Sequence, residues 1–404
     1  MKPPPWPGIG LGLLGLGLLL KAAWLIQLGL AVLLVGGLGR LWSRLALRRL
    51  VYRRGITPLR VCAGETVELR LELRNDKLLP LAWARVRDRV PQGLDYGAAA
   101  IGPSSRAARQ TLSLLASLGA YQHMTWRYTL TCPRRGHFRF GPVELASGDL
   151  FGLFETRREL DLGDRLVVYP RLRELAELGF PAGEPYGGRR ADRVLNQDPL
   201  RPIGVRDYAP GDRMRDVHWK ASARLPGAAL QVKVLEPVSR PAVLVLLNIN
   251  TRAHVALGVD PEVQEHLISV AASIAVAASR QGHPMGLVAN GILPGTGRAI
   301  RMPIGQGPTI VPRCLEALAA VGPFVQLPAH RMVAAEGRRA PWGATLVVVS
   351  AVVDETLQGE LLRLARAGRR VALVSLDPGF EAQLPGLVTH HVPIGALAFA
   401  PEAG

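Results

Sequence analysis

The sequence predicts a multi-domain α+β protein with an N-terminal transmembrane hairpin, an antiparallel β-sandwich and a doubly wound α/β domain. Three observations support this class. A thirty-residue apolar run opens the chain, segments with period-two alternation follow it, and continuous apolar runs alternate with helical patterns in the last part. The predicted boundaries are 1–54 for the membrane anchor and its basic flank, 55–170 for the sandwich, 171–237 for a linker and a charged segment, and 238–404 for the α/β domain.

The apolar run from Ile9 to Leu38 contains one charge, Lys21. The run exceeds one membrane span of about 20 residues, so we expect Lys21 at the tip of a helical hairpin. Trp6 and Trp42 suit the two interfaces; a single tilted helix is the alternative. A basic flank without acidic residues follows, comprising Arg40, Arg44, Arg48, Arg49, Arg53 and Arg54. It predicts a helix against anionic headgroups, and a cytoplasmic location for the rest of the chain at the cell membrane.

Composition and motifs argue against several function classes. The net charge is +17, but only 5% of the residues are aromatic and no nucleic-acid-binding motif is present, so we expect no nucleic-acid partner. The three cysteines are far apart, which indicates free thiols. Neither a phosphate-binding P-loop nor a GxSxG elbow occurs, and the glycines at positions 10, 12 and 15 lack the strand that a dinucleotide site requires. We therefore expect no catalytic residues and no cofactor.

The second part of the chain predicts antiparallel strands. In the segment ETVELRLELRN, apolar residues alternate with charged ones from Val67 to Arg74, as in a half-buried strand. LAWARVRDRVP and MTWRYTLTC repeat this alternation between turn-forming clusters. The segment RRGHFRFGPVELASGDLFGLFETRREL predicts two further short strands and a glycine-rich turn that ends in the apolar Leu150, Phe151, Leu153 and Phe154. A small sandwich is the fold that best buries such faces.

The last part alternates buried strands with helices. PAVLVLLNI, MGLVAN, ATLVVVS and RVALVSL are apolar runs typical of parallel strands. Asp260, Pro261 and Gly282 delimit one helix, and Asp354 and Gly368 delimit another. After the first strand come Asn248, Asn250 and Arg252. This layout resembles a von Willebrand factor type A domain, in which a DxSxS motif holds Mg²⁺ at that position. Because these three side chains provide no anionic ligand, we expect no metal here.

The segment RDYAPGDRMRDVHWKASAR, residues 206–224, is the most unusual of the chain and is called the signature segment below. Pro210–Gly211 predicts a turn, with Asp212 as the N-cap of a short helix from Arg213 to Arg224. On that helix Asp216, Lys220 and Arg224 would form a row of charges, and Trp219 would be buried. We expect the segment to be a structural joint between the β and the α/β domains.

The signature segment also resembles the hallmark of the domain-of-unknown-function 58 family. The matching positions are Tyr208, Pro210, Gly211, Asp212, Arg215, Trp219, Ala223 and Arg224. The upstream residues Arg135, Gly136, Gly141, Pro142, Asp149, Phe151, Gly152 and Leu153 fit the same family, whereas Leu150 replaces its usual proline.

This resemblance implies a membrane-associated, non-enzymatic adaptor with a chaperone-like or assembly role. Its partners would be membrane lipid, a MoxR-type AAA+ ATPase and other von Willebrand factor type A-like proteins. The alternative is a hydrolase or anion-binding protein that uses Asp212, Arg215 and Arg224.

Overall fold

The computed structural model describes residues 6–99, 101–103, 109–180, 197–210, 212, 214–224, 230–237, 241–252, 258–293, 297, 299–380 and 383–394. The chain divides into two compact units, Met1–Tyr169 and Pro170–Gly404. Gly211, Arg213 and residues 181–196 and 225–229 of the predicted segment 171–237 lie outside the described residues.

Two apolar helices open the first unit. They are α1 (Trp6–Leu19) and α2 (Ala23–Ala46), joined at Lys21, whose φ is 49°. Glycines allow the helices to approach closely, since a Cβ at Gly10 would lie 2.6 Å from Leu33 and one at Gly29 would lie 2.8 Å from the backbone of Leu14. The predicted helical hairpin is therefore present, and one glycine of the false dinucleotide motif serves helix packing.

The rest of the first unit consists of strands. They are β1 (Leu50–Thr57), β2 (Arg60–Cys62), β3 (Thr66–Asn75), β4 (Leu81–Pro91), β5 (Ile101–Pro103), β6 (Arg109–Leu118), β7 (His123–Thr131), β8 (Gly136–Arg139), β9 (Val143–Gly148), β10 (Glu155–Leu160) and β11 (Arg165–Tyr169). They form sheets of order β1-β3-β7, β10-β9-β4-β6-β5 and β2-β11-β8. One hydrophobic cluster draws residues from all three sheets, including Leu69, Val86, Leu112 and Leu166.

A buried ionic network crosses this core. Arg54 donates from Nη1 to Asp88 Oδ1 at 2.6 Å and from Nε to Asp164 Oδ2 at 2.8 Å. Tyr52 donates its hydroxyl proton to Asp88 at 2.8 Å, and the Phe140 ring lies 5.3 Å from the guanidinium carbon. Burial raises the pKa of Tyr52. Burial alone would lower the pKa of Arg54, but Asp88 and then Asp164 raise it overall, so Arg54 stays charged.

This network corrects the predicted basic flank. Only the exposed Arg40 and Arg44 lie on α2, whereas Arg53 and Arg54 belong to β1, and the Arg54 side chain is 0% exposed. Leu47 and Leu50, which lie between these arginines in the sequence, are buried in the core of the strands. The helix ends earlier than predicted because residues from position 46 onward pack into that core.

The second unit contains an antiparallel ribbon and a six-stranded sheet. The ribbon pairs β12 (Gln197–Asp207) with β13 (Gln231–Pro237). The sheet contains β14 (Val243–Leu247), β15 (Met285–Ile292), β16 (Ala299–Gly305), β17 (Thr345–Ser350), β18 (Arg370–Ser375) and β19 (Val388–His391). Its order is β16-β15-β14-β17-β18-β19, and every neighbouring pair is parallel except β15 and β16.

Helices cover both faces of this sheet. They are α4 (Pro261–Arg280), α5 (Ile310–Ala319), α6 (Ala329–Arg339) and α7 (Glu355–Arg366). Leu244 and Leu246 of β14 cluster with residues of α6 and α7, and α4 contacts the alternate face of the same strand. Asp260 and Asp354 accept hydrogen bonds from the first backbone N–H groups of α4 and α7, as their sequence positions predict. The second unit thus combines a largely parallel sheet with helices packed against it.

Candidate functional site

The signature segment connects the two strands of the ribbon in the second unit. Its described part contains a 3₁₀ turn, Met214–Asp216, and one helical turn, α3 (Trp219–Ser222). The predicted continuous helix up to Arg224 is therefore wrong, and Asp216 cannot begin a row of i,i+4 pairs. The Arg215 Nε lies 3.9 Å from Asp216 Oδ1, and the Arg215 side chain is 72% exposed.

Asp212 closes the turn instead of capping a helix. Arg206 donates to its two carboxylate oxygens at 2.7 and 2.6 Å, and the N–H of Ala209 donates to Oδ2 at 2.9 Å. The bonds from Arg206, and after them the bond from Ala209, hold the pKa of Asp212 below its usual value. Both carboxylate oxygens are engaged, so this geometry does not favour Asp212 as a catalytic base.

His218 is the residue that caps α3. Its Nδ1 accepts a hydrogen bond from the N–H of Ala221 at 3.0 Å. Its own backbone N–H donates to the carbonyl of Gln231 at 2.7 Å, and Gln231 donates its N–H to Ser222 Oγ at 2.8 Å. The side chain of Gln231 also bonds Asp207. These contacts fix the helical turn to β13.

Trp219 lies on the outer side of this fixed turn and is 62% exposed. The prediction that it is buried is wrong, because Val217 occupies the buried position instead, at 2% exposure, and pairs with Val232 across the ribbon. Met214 is 56% exposed, and Pro210, Lys220, Ala223 and Arg224 are exposed as well, while Tyr208 is half-buried. The predicted residues that the structure describes thus lie in one loop, and most of their side chains face solvent.

A second candidate lies where the strand order of the sheet reverses, between β14 and β17. Asn248 Nδ2 donates to Ser350 Oγ at 2.9 Å, and its Oδ1 accepts from Asn290 Nδ2 at 2.7 Å and from the N–H of Asn250 at 3.1 Å. Asn290 Oδ1 accepts from the N–H of Ile249 at 2.8 Å. These side chains are almost fully buried, so the amide network joins the strand ends.

This network does not fit the Mg²⁺ site of the resembled domain. Both acceptor positions of Asn248 Oδ1 are taken, and the donor set contains amides and a hydroxyl where Mg²⁺ prefers anionic oxygens. Arg252 is exposed, and its N–H lies 3.5 Å from Asn250 Oδ1. Among the residues that the structure describes, no group of three His, Cys, Asp or Glu side chains is placed to hold a metal ion.

The α/β sheet and the signature segment fall within one region of family similarity. Residues 204–392 match the family described as "Protein of unknown function DUF58". The motif-based resemblance is confirmed for these residues. The chain is also 26% identical over 235 residues to the uncharacterized protein YeaD of Bacillus subtilis (strain 168). That alignment covers 57% of this chain and 53% of the relative, so the chain spans about half the length of YeaD.

Two of the similar solved structures are distant from this chain. The CARDB domain of the PF1109 protein from Pyrococcus furiosus has a TM-score of 0.20 at 14% identity and covers 30% of this chain and 91% of that domain. A cohesin module of a Clostridium perfringens glycoside hydrolase has a TM-score of 0.18 at 10% identity, with 30% and 96% covered. Scores this low carry no argument about function.

Sequence reasoning missed two residues of the signature segment's framework. Arg206 is the partner of Asp212, and Gln231 connects the helical turn to β13. Arg206 lies near Asp212 in the sequence, but an arginine near a strand end has many ordinary roles. Gln231 reaches the turn only through the ribbon register, which pairs it with Asp207.

Proposed function

We propose that this chain is a non-enzymatic, membrane-anchored adaptor that presents the signature segment to a protein partner. The observation that carries the proposal is Trp219, which is 62% exposed on a helical turn whose backbone is fixed to β13. An ordered, exposed tryptophan loses little conformational entropy on binding, and tryptophan is enriched among residues that dominate binding energy.

The surroundings of Trp219 define the chemistry of the partner surface. Met214 adds apolar area, and Arg215, Lys220 and Arg224 place positive charge around it. The complementary surface is an apolar pocket with an acidic rim, since opposite charges at the rim steer association and select the partner. Arginine also suits this role because its planar guanidinium bonds carboxylates in a bidentate way.

The partner that the family resemblance implies is a MoxR-type AAA+ ATPase, together with other von Willebrand factor type A-like proteins. The sheet order β16-β15-β14-β17-β18-β19, with one antiparallel edge strand, supports a von Willebrand factor type A-like assignment of the second unit. The three sheets around one core support a sandwich-type assignment for residues 55–170. In this role the chain acts in the maturation of a protein complex.

Anchoring is assigned to α1 and α2. Within the described residues α2 is long and apolar enough to cross a membrane, and the shorter α1 packs against it. The two helices and the turn between them expose large apolar side chains to their surroundings, namely Ile9, Leu11, Leu16, Leu18, Leu19, Leu20, Trp24, Leu28, Leu30, Leu34, Val35 and Leu38. An apolar surface of this extent is stable in lipid. The exposed Arg40, Arg44, Arg48 and Arg49 support an orientation in which the open end of the hairpin lies at the cytoplasmic headgroups.

A crosslinking experiment tests the adaptor role. A photoreactive amino acid at position 215 in the full chain, irradiated in native membranes, should capture an ATPase of the MoxR type, and Trp219→Ala should abolish the product. Trp342→Ala is the matched control because Trp342 is also exposed, at 76%, but lies outside the signature segment. Loss of the product in both variants, or in neither, would contradict the proposal.

A further inference from the structure

The turn between β9 and β10 exposes three large apolar side chains. Leu150, Phe151 and Leu153 are 62%, 71% and 52% exposed, although the strands on either side belong to a well-packed sheet. Three such side chains on one short turn form an apolar surface that requires a partner. The family resemblance of these residues assigns them no role.

The turn is ordered, so the exposure is built into the fold. Asp149 accepts hydrogen bonds from the N–H of Phe151 at 3.0 Å and from the N–H of Phe154 at 2.6 Å. The indole of Trp83 donates to the Asp149 carbonyl at 3.3 Å, and Gly152 supplies a φ of +69°. Because the backbone is closed by Asp149, the apolar side chains cannot fold back into the core.

The base of the turn contacts the two apolar helices. The Phe154 ring meets Trp6 of α1 edge-to-face, with centroids 5.9 Å apart. A Cβ at Gly39 of α2 would lie 3.3 Å from Phe154 and 3.6 Å from the Cβ of Asp149. Two residues further along β10, Thr156 bonds Ser43 through their hydroxyls at 2.8 Å.

These contacts fix the direction of the turn. From Ser43 to Gly39 the helix advances about 6 Å toward its apolar part, and from Thr156 to Phe154 the strand advances about 7 Å. The strand and the helix therefore run side by side, with Phe154 level with Gly39. By this alignment the tip, residues 150–153, projects beyond the level of Gly39 in the direction of the apolar part of α2.

We propose that Leu150, Phe151 and Leu153 insert into the acyl-chain border of the bilayer beside α1 and α2. The occupant of this surface is lipid, because the turn continues the apolar surface of the two helices at the same height. The insertion depth expected for such interfacial elements is about 5–10 Å. The turn thereby forms a second point of membrane contact and sets the tilt of the β domain. This inference rests on the proposed anchoring by α1 and α2.

Depth-dependent fluorescence quenching tests the inference on the full chain. A single cysteine replaces Phe151 in a Cys62→Ser background and carries a polarity-sensitive fluorophore, while Cys132 and Cys314 are buried. The protein is reconstituted in vesicles whose phospholipids carry bromine on the acyl chains. The label at position 151 should show a blue-shifted emission and lose most of its intensity to brominated lipid, and iodide in the water should quench it little. Leu150→Cys serves as a second labelled position.

Two controls separate the possible outcomes. Leu59→Cys places the label on an exposed leucine beyond the end of β1 that lies away from α2, and it should respond to iodide alone. Leu30→Cys on α2 should respond to brominated lipid alone. If positions 150 and 151 behave like 59 while 30 responds to lipid, the turn is a protein-contact surface and the inference is refuted. If position 30 also fails to respond, the anchoring proposal itself is refuted.

Discussion

Arg206 and Asp212 are joined by two hydrogen bonds, of 2.7 Å from Nη1 to Oδ2 and 2.6 Å from Nη2 to Oδ1. The pair closes the turn that precedes Met214, and the side chain of Arg206 is half-exposed. A planar guanidinium matches a carboxylate in this bidentate geometry, and lysine does not. The family resemblance marks Asp212, and the geometry adds Arg206 as the residue that orients it.

The exposure of Trp219 predicts that its loss leaves stability unchanged. Trp219→Ala should alter the free energy of unfolding by less than about 0.5 kcal/mol, as expected for an exposed position. Val217→Ala should lower it by about 1–2 kcal/mol, because Val217 is buried. Chemical unfolding of the detergent-solubilised chain measures both. A large loss for Trp219→Ala would restore the hypothesis of a structural joint.

The ionic network of the β domain predicts a strong effect of single substitutions. Arg54→Met leaves Asp88 as an uncompensated buried carboxylate and should lower the free energy of unfolding by about 3–5 kcal/mol. Tyr52→Phe removes one hydrogen bond to the same carboxylate and should cost about 1.5–3 kcal/mol. Equal costs for the two variants would show that the guanidinium charge is not the main partner of Asp88.

The amide network at the strand ends predicts a structural role for Asn248. Asn248→Ala leaves Asn290 and Ser350 each without one buried partner and should lower the free energy of unfolding by about 1–3 kcal/mol. Addition of Mg²⁺ or Mn²⁺ should not raise the melting temperature of the unmodified chain, since a bound metal would stabilise the folded state. A saturable rise that disappears in Asn248→Ala would establish a metal site.

The proposed topology predicts which part of the chain a protease reaches. Protease applied to the outer face of intact cells should leave residues 55–404 uncut, because in the proposed topology the basic flank after α2 faces the cytoplasm. The same protease added after permeabilisation should cleave these residues, which controls for intrinsic resistance. Cleavage of residues 55–404 in intact cells would reverse the orientation.

The environment of His390 predicts that the folded chain loses stability in mild acid. Burial holds its pKa below the usual value, and its ring lies 4.8 Å from that of Phe180. As the pH falls, His390 therefore takes up a proton in the unfolded chain before it does so in the folded chain. Its contribution to the free energy of unfolding is complete above about pH 6.5 and is lost as the pH falls through the lowered pKa of the folded state. Denaturant midpoints at several pH values should fall less steeply in His390→Phe. Parallel curves for the two proteins would contradict this.

Local sequence patterns predicted helix ends and strands correctly where an interaction between sequence neighbours determines the structure. Asp260 and Asp354 cap helices as expected, and Thr66–Asn75 forms a strand with its leucines buried, because capping and alternation depend on neighbours in sequence. Trp219 was predicted wrongly because the turn that carries it is fixed by Gln231 of β13, which lies beyond the segment. Asp212 was predicted wrongly because Arg206 and the N–H of Ala209 engage its carboxylate. A large ring flanked by charges fits a buried and an exposed position equally well, and the register of the ribbon selects Val217 for the core.

The last turn of α2 passes into β1 with only residues 47–49 between them. Lys77 donates from Nζ to the carbonyl of Ala46 at 2.7 Å, and Ala46 is itself part of the core of the strands. So short a connection does not allow independent rotation, so the β domain rotates together with the hairpin. A protein anchored in a bilayer by a hairpin no longer tumbles freely or moves along the membrane normal. It searches for a partner only by lateral diffusion in the membrane plane and by rotation about the membrane normal. Part of the rotational entropy of association is thus given up before the two proteins meet.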